Sequence, residues 1–196
     1  MLRSFLLADV LAAHVIIQNL SSLIFIIPLG LSVAIAIRVA HHCALQHSWV
    51  LTAKIALAFS SLLVLIPASL FILMPHQLGI LYTQSPTVLT LIIAVLPIVG
   101  IMQLFDALQV TVLGILRGMG DVSMPSVMHP IGLWCVGLPL AAFFSSRLGW
   151  GLAGLWGGLT LAIIGISIVL LFRLIAHSRA VLNKHQADIN SQPLSA

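Results

Sequence analysis

The sequence contains no glutamate, and its acids are Asp9, Asp106, Asp121 and Asp188. Residues of either charge make up only 6% of the chain, against about 25% in an ordinary soluble domain. So little charge cannot cover a water-facing surface, which excludes a soluble protein and leaves an integral membrane protein. Cysteine is scarce too: Cys43 and Cys135 have no CxxC spacing, lie in or beside apolar segments, and are expected to be free thiols. The bases are single and scattered, so the formal charge of +4 builds no phosphate-binding run, and no nucleic acid partner is expected. No Ser–His–Asp, HExxH, P-loop or dinucleotide signature occurs, so nothing points to an enzyme or a cofactor. His41, His42, Cys43 and His47 match no standard zinc spacing and read as a membrane-surface loop, with no metal expected.

What the chain has is apolar length: 61% of its 196 residues are hydrophobic. A spanning helix needs about 20 largely apolar residues. Five stretches qualify, at 11–39, 55–73, 87–116, 127–144 and 152–175. The expected fold class is therefore an all-α integral membrane protein, a polytopic bundle of about five transmembrane helices. Ala40–Thr52 reads as a loop or interfacial stretch, Pro75–Pro86 as a turn, Arg117–Pro125 as a glycine-rich connection, and His177–Ala196 as a polar, disordered tail. The domain plan is a transmembrane unit over 1–176 followed by that tail. Asp9 interrupts the apolar start and the hydrophobic run continues to Ile37, which argues against a cleaved signal peptide. Arg38, Lys54, Arg117, Arg173, Arg179 and Lys184 fall on one side of the membrane, Arg3 and Arg147 on the other. That imbalance sends the C-terminus to the cytoplasm.

Inside the spans, Asp106 is the costly residue. A carboxylate near a bilayer centre is unfavourable by roughly 2.5–3.5 kcal/mol on insertion scales, so it faces a cavity or a partner and marks a transport path. Gln103 and Gln109 lie three residues to either side on one helical sector. Arg117 is too far to neutralise Asp106, because eleven residues of helix span about 16 Å. His14 is the only plausible intramembrane base to meet it. Such an aspartate binds and releases a proton or coordinates a monovalent cation with amide oxygens; the structural alternative is a carboxylate bonded to a helix backbone. In the first span, His14, Gln18, Ser21 and Ser22 form a polar stripe with Asn19 off it. The stripe suits either a cavity wall or interhelical hydrogen bonds. Pro28 permits a kink there, and Gly154 and Gly158 form a GxxxG packing motif in the last span.

Several of these segments resemble one family. Leu11–His42 is similar to the eighth helix of the multidrug and toxic compound extrusion (MATE) family, NorM-like branch, and Gln103–Asp121 to the tenth helix and its following loop. WxxGLPL at Trp134–Leu140 and GLAGLWGGL at Gly151–Leu159 resemble the eleventh and twelfth. The resemblance implies twelve helices in two bundles around a central cavity, embedded in the lipid bilayer of a bacterial inner membrane. It implies expulsion of cationic, amphipathic small molecules in exchange for inward H⁺ or Na⁺. By the motif, Asp106 falls on the family's cation-binding carboxylate in the C-terminal bundle; that Gln103, Gln109, His14, Gln18 and Asn19 line a cavity is an expectation from helix geometry and the polar residues of the first span, not from the resemblance. The resemblance begins at the family's eighth helix, with Met1–Val10 similar to the end of the seventh, which in the family supplies another acid. The expectation is therefore a fragment of a longer transporter that does not transport alone; the alternatives are a non-transporting membrane remnant or interaction subunit, and, last, a membrane-embedded enzyme.

Overall fold

The computed structural model describes residues 2–45 and 48–191, with side chains described for 7–45 and 48–179. Its described backbone is helical, in the order α1 (Leu2–Ala44), α2 (Val50–Leu73), α3 (Pro75–Ile80), α4 (Pro86–Gly118), α5 (Ser123–Gly132), α6 (Leu138–Ala142) and α7 (Gly151–Ser191). Two π-helical segments, Leu133–Gly137 and Phe143–Arg147, join α5 to α6 and extend α6, so that these pieces make one rod. In the first of them the Leu138 N–H donates to the Leu133 carbonyl five residues back. Five helical rods are long and apolar enough to cross a membrane: Leu7–Ala44, Val50–Leu73, Pro86–Gly118, Ser123–Arg147 and Gly151–Arg179. Helices suit hydrocarbon because each satisfies its own backbone N–H and C=O groups. Large apolar side chains such as Leu23, Ile26, Leu62, Ile66 and Phe172 point outward, as the solvent of a bilayer allows.

Three local expectations give way. The Pro75–Pro86 turn contains the short helix α3, because Pro75 at its start fixes φ in the helical range and loses no needed N–H. The Ala40–Thr52 loop shrinks, since α1 runs on to Ala44 and α2 begins at Val50; Gln46 and His47 lie outside the described residues. The tail expected to be disordered from His177 continues α7 to Ser191 without a proline or glycine to stop it; residues 192–196 lie outside the described residues.

Helix α4 is the centre, packed on by α1, α2, α3 and α7. Glycine makes that possible. A Cβ on Gly114 would stand 2.5 Å from the Ser32 carbonyl oxygen of α1, and one on Gly118 would stand 2.6 Å from that of Ala36. On another face, Gly100 meets the Ala68 carbonyl of α2 at 2.9 Å on the same construction. The GxxxG glycines play the same part within the chain, where Gly154 and Gly158 press α7 against the α5–α6 rod. Two apolar clusters fill the bundle. One gathers Ile17, Val64, Ile92, Val99 and Trp156, the other Val39, Trp49, Ile115 and Leu170. Between them runs a layer of buried polar groups: Ser32, Ser60, Gln109, Thr111 and Ser167. Thr111 Oγ1 lies 2.7 Å from Ser60 Oγ, and Ser167 Oγ lies 2.9 Å from the Phe105 carbonyl oxygen.

One end of α4 is closed by a Schellman turn. Gly120 takes φ 85°, the Asp121 N–H donates to Leu116 O at 2.9 Å, and the Gly120 N–H donates to Arg117 O at 3.1 Å. The turn aims the Asp121 carboxylate at α7, where Arg173 donates Nε–H and an Nη2–H to its two oxygens at 2.7 and 3.0 Å. Gly114→Val and Gly118→Val should each lower the melting temperature of the purified chain, with a loss on the order of 1–3 kcal/mol as for other overpacked contacts. Gly30→Ala, where a Cβ meets nothing within 4 Å, is the control. Circular dichroism melts in detergent read all three, and equal stability of Gly114→Val and wild type would refute the close approach.

Candidate functional site: a polar cavity beside Asp106

Asp106 sits on α4 about one turn from the polar layer and lines a cavity of about 270 Å³. Helix α1 contributes Gln18, Ser21, Ser22 and Phe25 to the wall, α4 adds Met102, and α5 adds His129. Leu133 at the start of the first π-helical segment and Trp156, Leu159 and Ile163 of α7 complete it. Among the described residues no hydrogen bond or ion pair reaches the Asp106 carboxylate. The alternative of an aspartate bonded to a helix backbone therefore has no hydrogen bond behind it. Trp156 is 2% exposed, and its indole Nε1 is buried without a partner among the described residues. Asp106, His129, Gln18 and Trp156 thus line one small space inside an apolar bundle. Such a space holds a small cation or a proton far more readily than a large organic molecule.

The structure separates the residues that the sequence grouped. Successive positions three apart on a helix differ by about 60° in direction, enough to send Gln103 and Gln109 to different neighbours. Gln103, 1% exposed, turns to α1 and donates from Nε2 to the Ser21 carbonyl at 2.7 Å and to Ser21 Oγ at 3.0 Å. It locks two helices together and lines no part of the Asp106 cavity. Gln109 is fully buried and turns the other way, its Nε2 hydrogen-bonded to Nδ1 of His129 on α5. Gln18 does line the cavity, while Asn19 is exposed and does not. The Ser22 hydroxyl donates to the Gln18 carbonyl at 2.8 Å within α1.

His14 does not meet Asp106. Its ring packs on Trp156 with centroids 5.5 Å apart, and with Gln18 it lines a larger groove of about 700 Å³ between α1, the α5–α6 rod and α7. The base in the aspartate's cavity is His129, which sequence reasoning passed over although it stands inside the fourth span. A signal for it existed. Gln109 and His129 lie eleven and nine residues from Gly120, the turn between α4 and the next rod, so an antiparallel return brings them level.

The profile of the family described as MatE matches residues 3–143. The chain is 31% identical over 185 residues to multidrug resistance protein PmpM of Pseudomonas aeruginosa, covering 91% of this chain and 39% of that protein. It is 34% identical over 166 residues to the probable multidrug resistance protein NorM of Acinetobacter baylyi, covering 83% of this chain and 37% of that one. The chain therefore spans about two fifths of the length of the curated relatives it matches. The crystal structure of the eukaryotic MATE transporter AtDTX14 has the same fold, with a TM-score of 0.79 at 17% identity over 90% of this chain and 41% of that one.

A buried amide that joins two helices and a carboxylate without a partner should part company in a stability measurement. Gln103→Leu should destabilise the chain by about 0.6–1.7 kcal/mol, the range measured for hydrogen bonds between membrane helices. Asp106→Asn removes a charge that has no partner and should melt at or above the wild-type temperature. A clear loss of stability in Asp106→Asn would show a structural bond to the carboxylate.

Proposed function

Because the chain belongs to the MatE family, we propose that Asp106 and its cavity form the cation-coupling site of a multidrug efflux antiporter. The observation that carries this reading is an aspartate without a counter-charge, lining a small cavity inside the bundle. An unpaired carboxylate in hydrocarbon is held at a cost, and a bound H⁺ or Na⁺ offsets it. Occupied and empty cavities then favour different helix arrangements, which is what a cation gradient needs in order to drive alternating access. The names of the relatives support multidrug efflux, and cationic amphipathic molecules are the substrates that the family resemblance implies. Arg38, Lys54, Arg117 and Arg173 belong to the helix ends around the second apolar cluster, and the excess of positive charge there supports a cytoplasmic C-terminus in a bacterial inner membrane. A central substrate cavity between two bundles needs a second bundle. This five-span unit therefore transports only in company with the remaining helices of a transporter of its relatives' length.

The test is a chimera in which residues 7–179 replace the matched segment of the P. aeruginosa relative, reconstituted in liposomes with an inward H⁺ or Na⁺ gradient. Gradient-driven efflux of a cationic dye is expected from the chimera and only background from its Asp106→Asn form. Undiminished efflux in the variant would sink the assignment of Asp106. The 196-residue chain reconstituted by itself should give no efflux, and robust efflux would overturn the need for further helices.

A further inference from the structure

We propose that the groove between α1 and α2 binds one anionic phospholipid, its phosphate at Arg38 and one acyl chain along the seam between the helices. The lipid belongs to the leaflet on the side where α7 ends, because Val39 of α1 and Leu174 of α7 share the second apolar cluster. Although α1 and α2 follow one another in the chain, each packs chiefly on α4. Their outward faces therefore part and leave a groove of about 370 Å³. Ile35 and Ala56, both buried, form its floor, and the exposed Ala34, Ile55 and Phe59 form its rims. The inference rests on the bundle's place in a membrane and not on the coupling role proposed for Asp106.

The groove changes character along its length. Leu31 lies at its apolar end; at the other, Arg38 and, one turn on, His42 stand on α1, with Thr52 in the first turn of α2. Arg38 is exposed, and among the described residues no hydrogen bond or ion pair reaches it. Lys54, also exposed, is the chain neighbour of Ile55 in the rim. No side chain caps α2 and no acid stands in its first turn, so that helix end adds to the positive potential. No described acid lines the groove: Asp106 lines the other cavity, and Asp121 is held by Arg173. A guanidinium presents its donors in a planar fork that matches phosphate oxygens. Such a mouth repels a cationic molecule and selects an anionic headgroup.

The dimensions suit a lipid better than a free anion. From Leu31 to His42 the α1 wall rises about 16 Å, close to half of a hydrocarbon core roughly 30 Å thick. The groove thus runs through one leaflet, from the headgroup level at Arg38 and His42 to the midplane at Leu31. A free phosphate would use the mouth alone and leave the apolar seam empty. A zwitterionic lipid would fill the seam and bring no net charge to the bases. An acyl chain lying on Ile35 and Ala56 beside Phe59 gives α1 and α2 a common neighbour where α4 does not reach.

The full chain in nonionic detergent is titrated with phosphatidylglycerol or with phosphatidylcholine of the same acyl chains, and native mass spectrometry counts the lipids retained. One phosphatidylglycerol should be held more tightly than phosphatidylcholine, an advantage that Arg38→Gln cuts by about fivefold, the worth of one base at an anionic surface. Ala34→Trp fills the seam, leaves the base in place and should weaken both lipids. Arg117→Gln removes an exposed base from the same level of the bundle, where Gly118 abuts Val39, but outside the groove, and should change neither. Equal retention of the two lipids, or a loss as large in Arg117→Gln as in Arg38→Gln, would make the groove ordinary lipid-facing surface and overturn the proposal. Displacement of phosphatidylglycerol by an equal concentration of inorganic phosphate would assign the mouth to a free anion and overturn it too. So would a chain that retains no lipid and forms a dimer that Ala34→Trp dissociates, since the seam would then belong to a second copy. Should Ala34→Trp fail to fold, the two exposed arginines decide alone.

Discussion

Helix α4 holds the centre of the bundle because glycine removes the side chain wherever another backbone presses against it. Gly114 and Gly118 admit α1, and Gly100 admits α2. Without that approach the Gln103 amide could not reach the Ser21 carbonyl, nor Thr111 the Ser60 hydroxyl. Hydrocarbon offers no partner to a buried polar group, so each of these hydrogen bonds must be supplied by a neighbouring helix. Close packing and polar satisfaction are here one constraint. It leaves a polar layer between two apolar clusters, and Asp106 stands at the edge of that layer.

Not every buried polar group is satisfied, and within the polar layer Ser32 Oγ and Gln109 Oε1 lack a hydrogen-bond partner among the described residues. The Asp106 carboxylate lacks a partner among the described residues, and so do the Trp156 indole N–H in the same cavity and His14 Nδ1 in the groove beside it. A bundle that satisfies Gln103, Thr111 and Ser167 so directly has the means to satisfy an aspartate. That it does not do so supports the proposed reading of Asp106 as a coupling group. The α5–α6 rod that closes the cavity is also the least embedded in the bundle, with π-helical turns at Leu133 and Phe143. A loosely held wall over an unpaired charge suits a site whose occupancy is meant to be felt elsewhere.

The number and character of the spans were legible in the chain because hydrophobic length is a local property. The residues around Asp106 were legible only in part. Gln103, Asp106 and Gln109 share a sector by spacing, yet a sector 120° wide looks at more than one neighbour. Gln103 serves α1, Gln109 serves α5, and only Asp106 faces the cavity between them. His14 looked like the plausible base because it belongs to a polar stripe. His129 was overlooked because a lone histidine between Met128 and Pro130 makes no pattern of its own.

By itself the sequence determined that this is a membrane-embedded helical protein with one costly carboxylate in its third span. Composition and hydrophobic run length answer to the solvent, and the solvent acts on every residue alike. Only the tertiary structure decided which polar groups meet. The partner of a side chain in a bundle depends on which helix the next turn brings alongside and how closely glycine lets it come. The Gly120 turn, set by one residue with positive φ, carries His129 to the level of Gln109. That long-range placement gave Asp106 an imidazole for company in place of the first-span histidine.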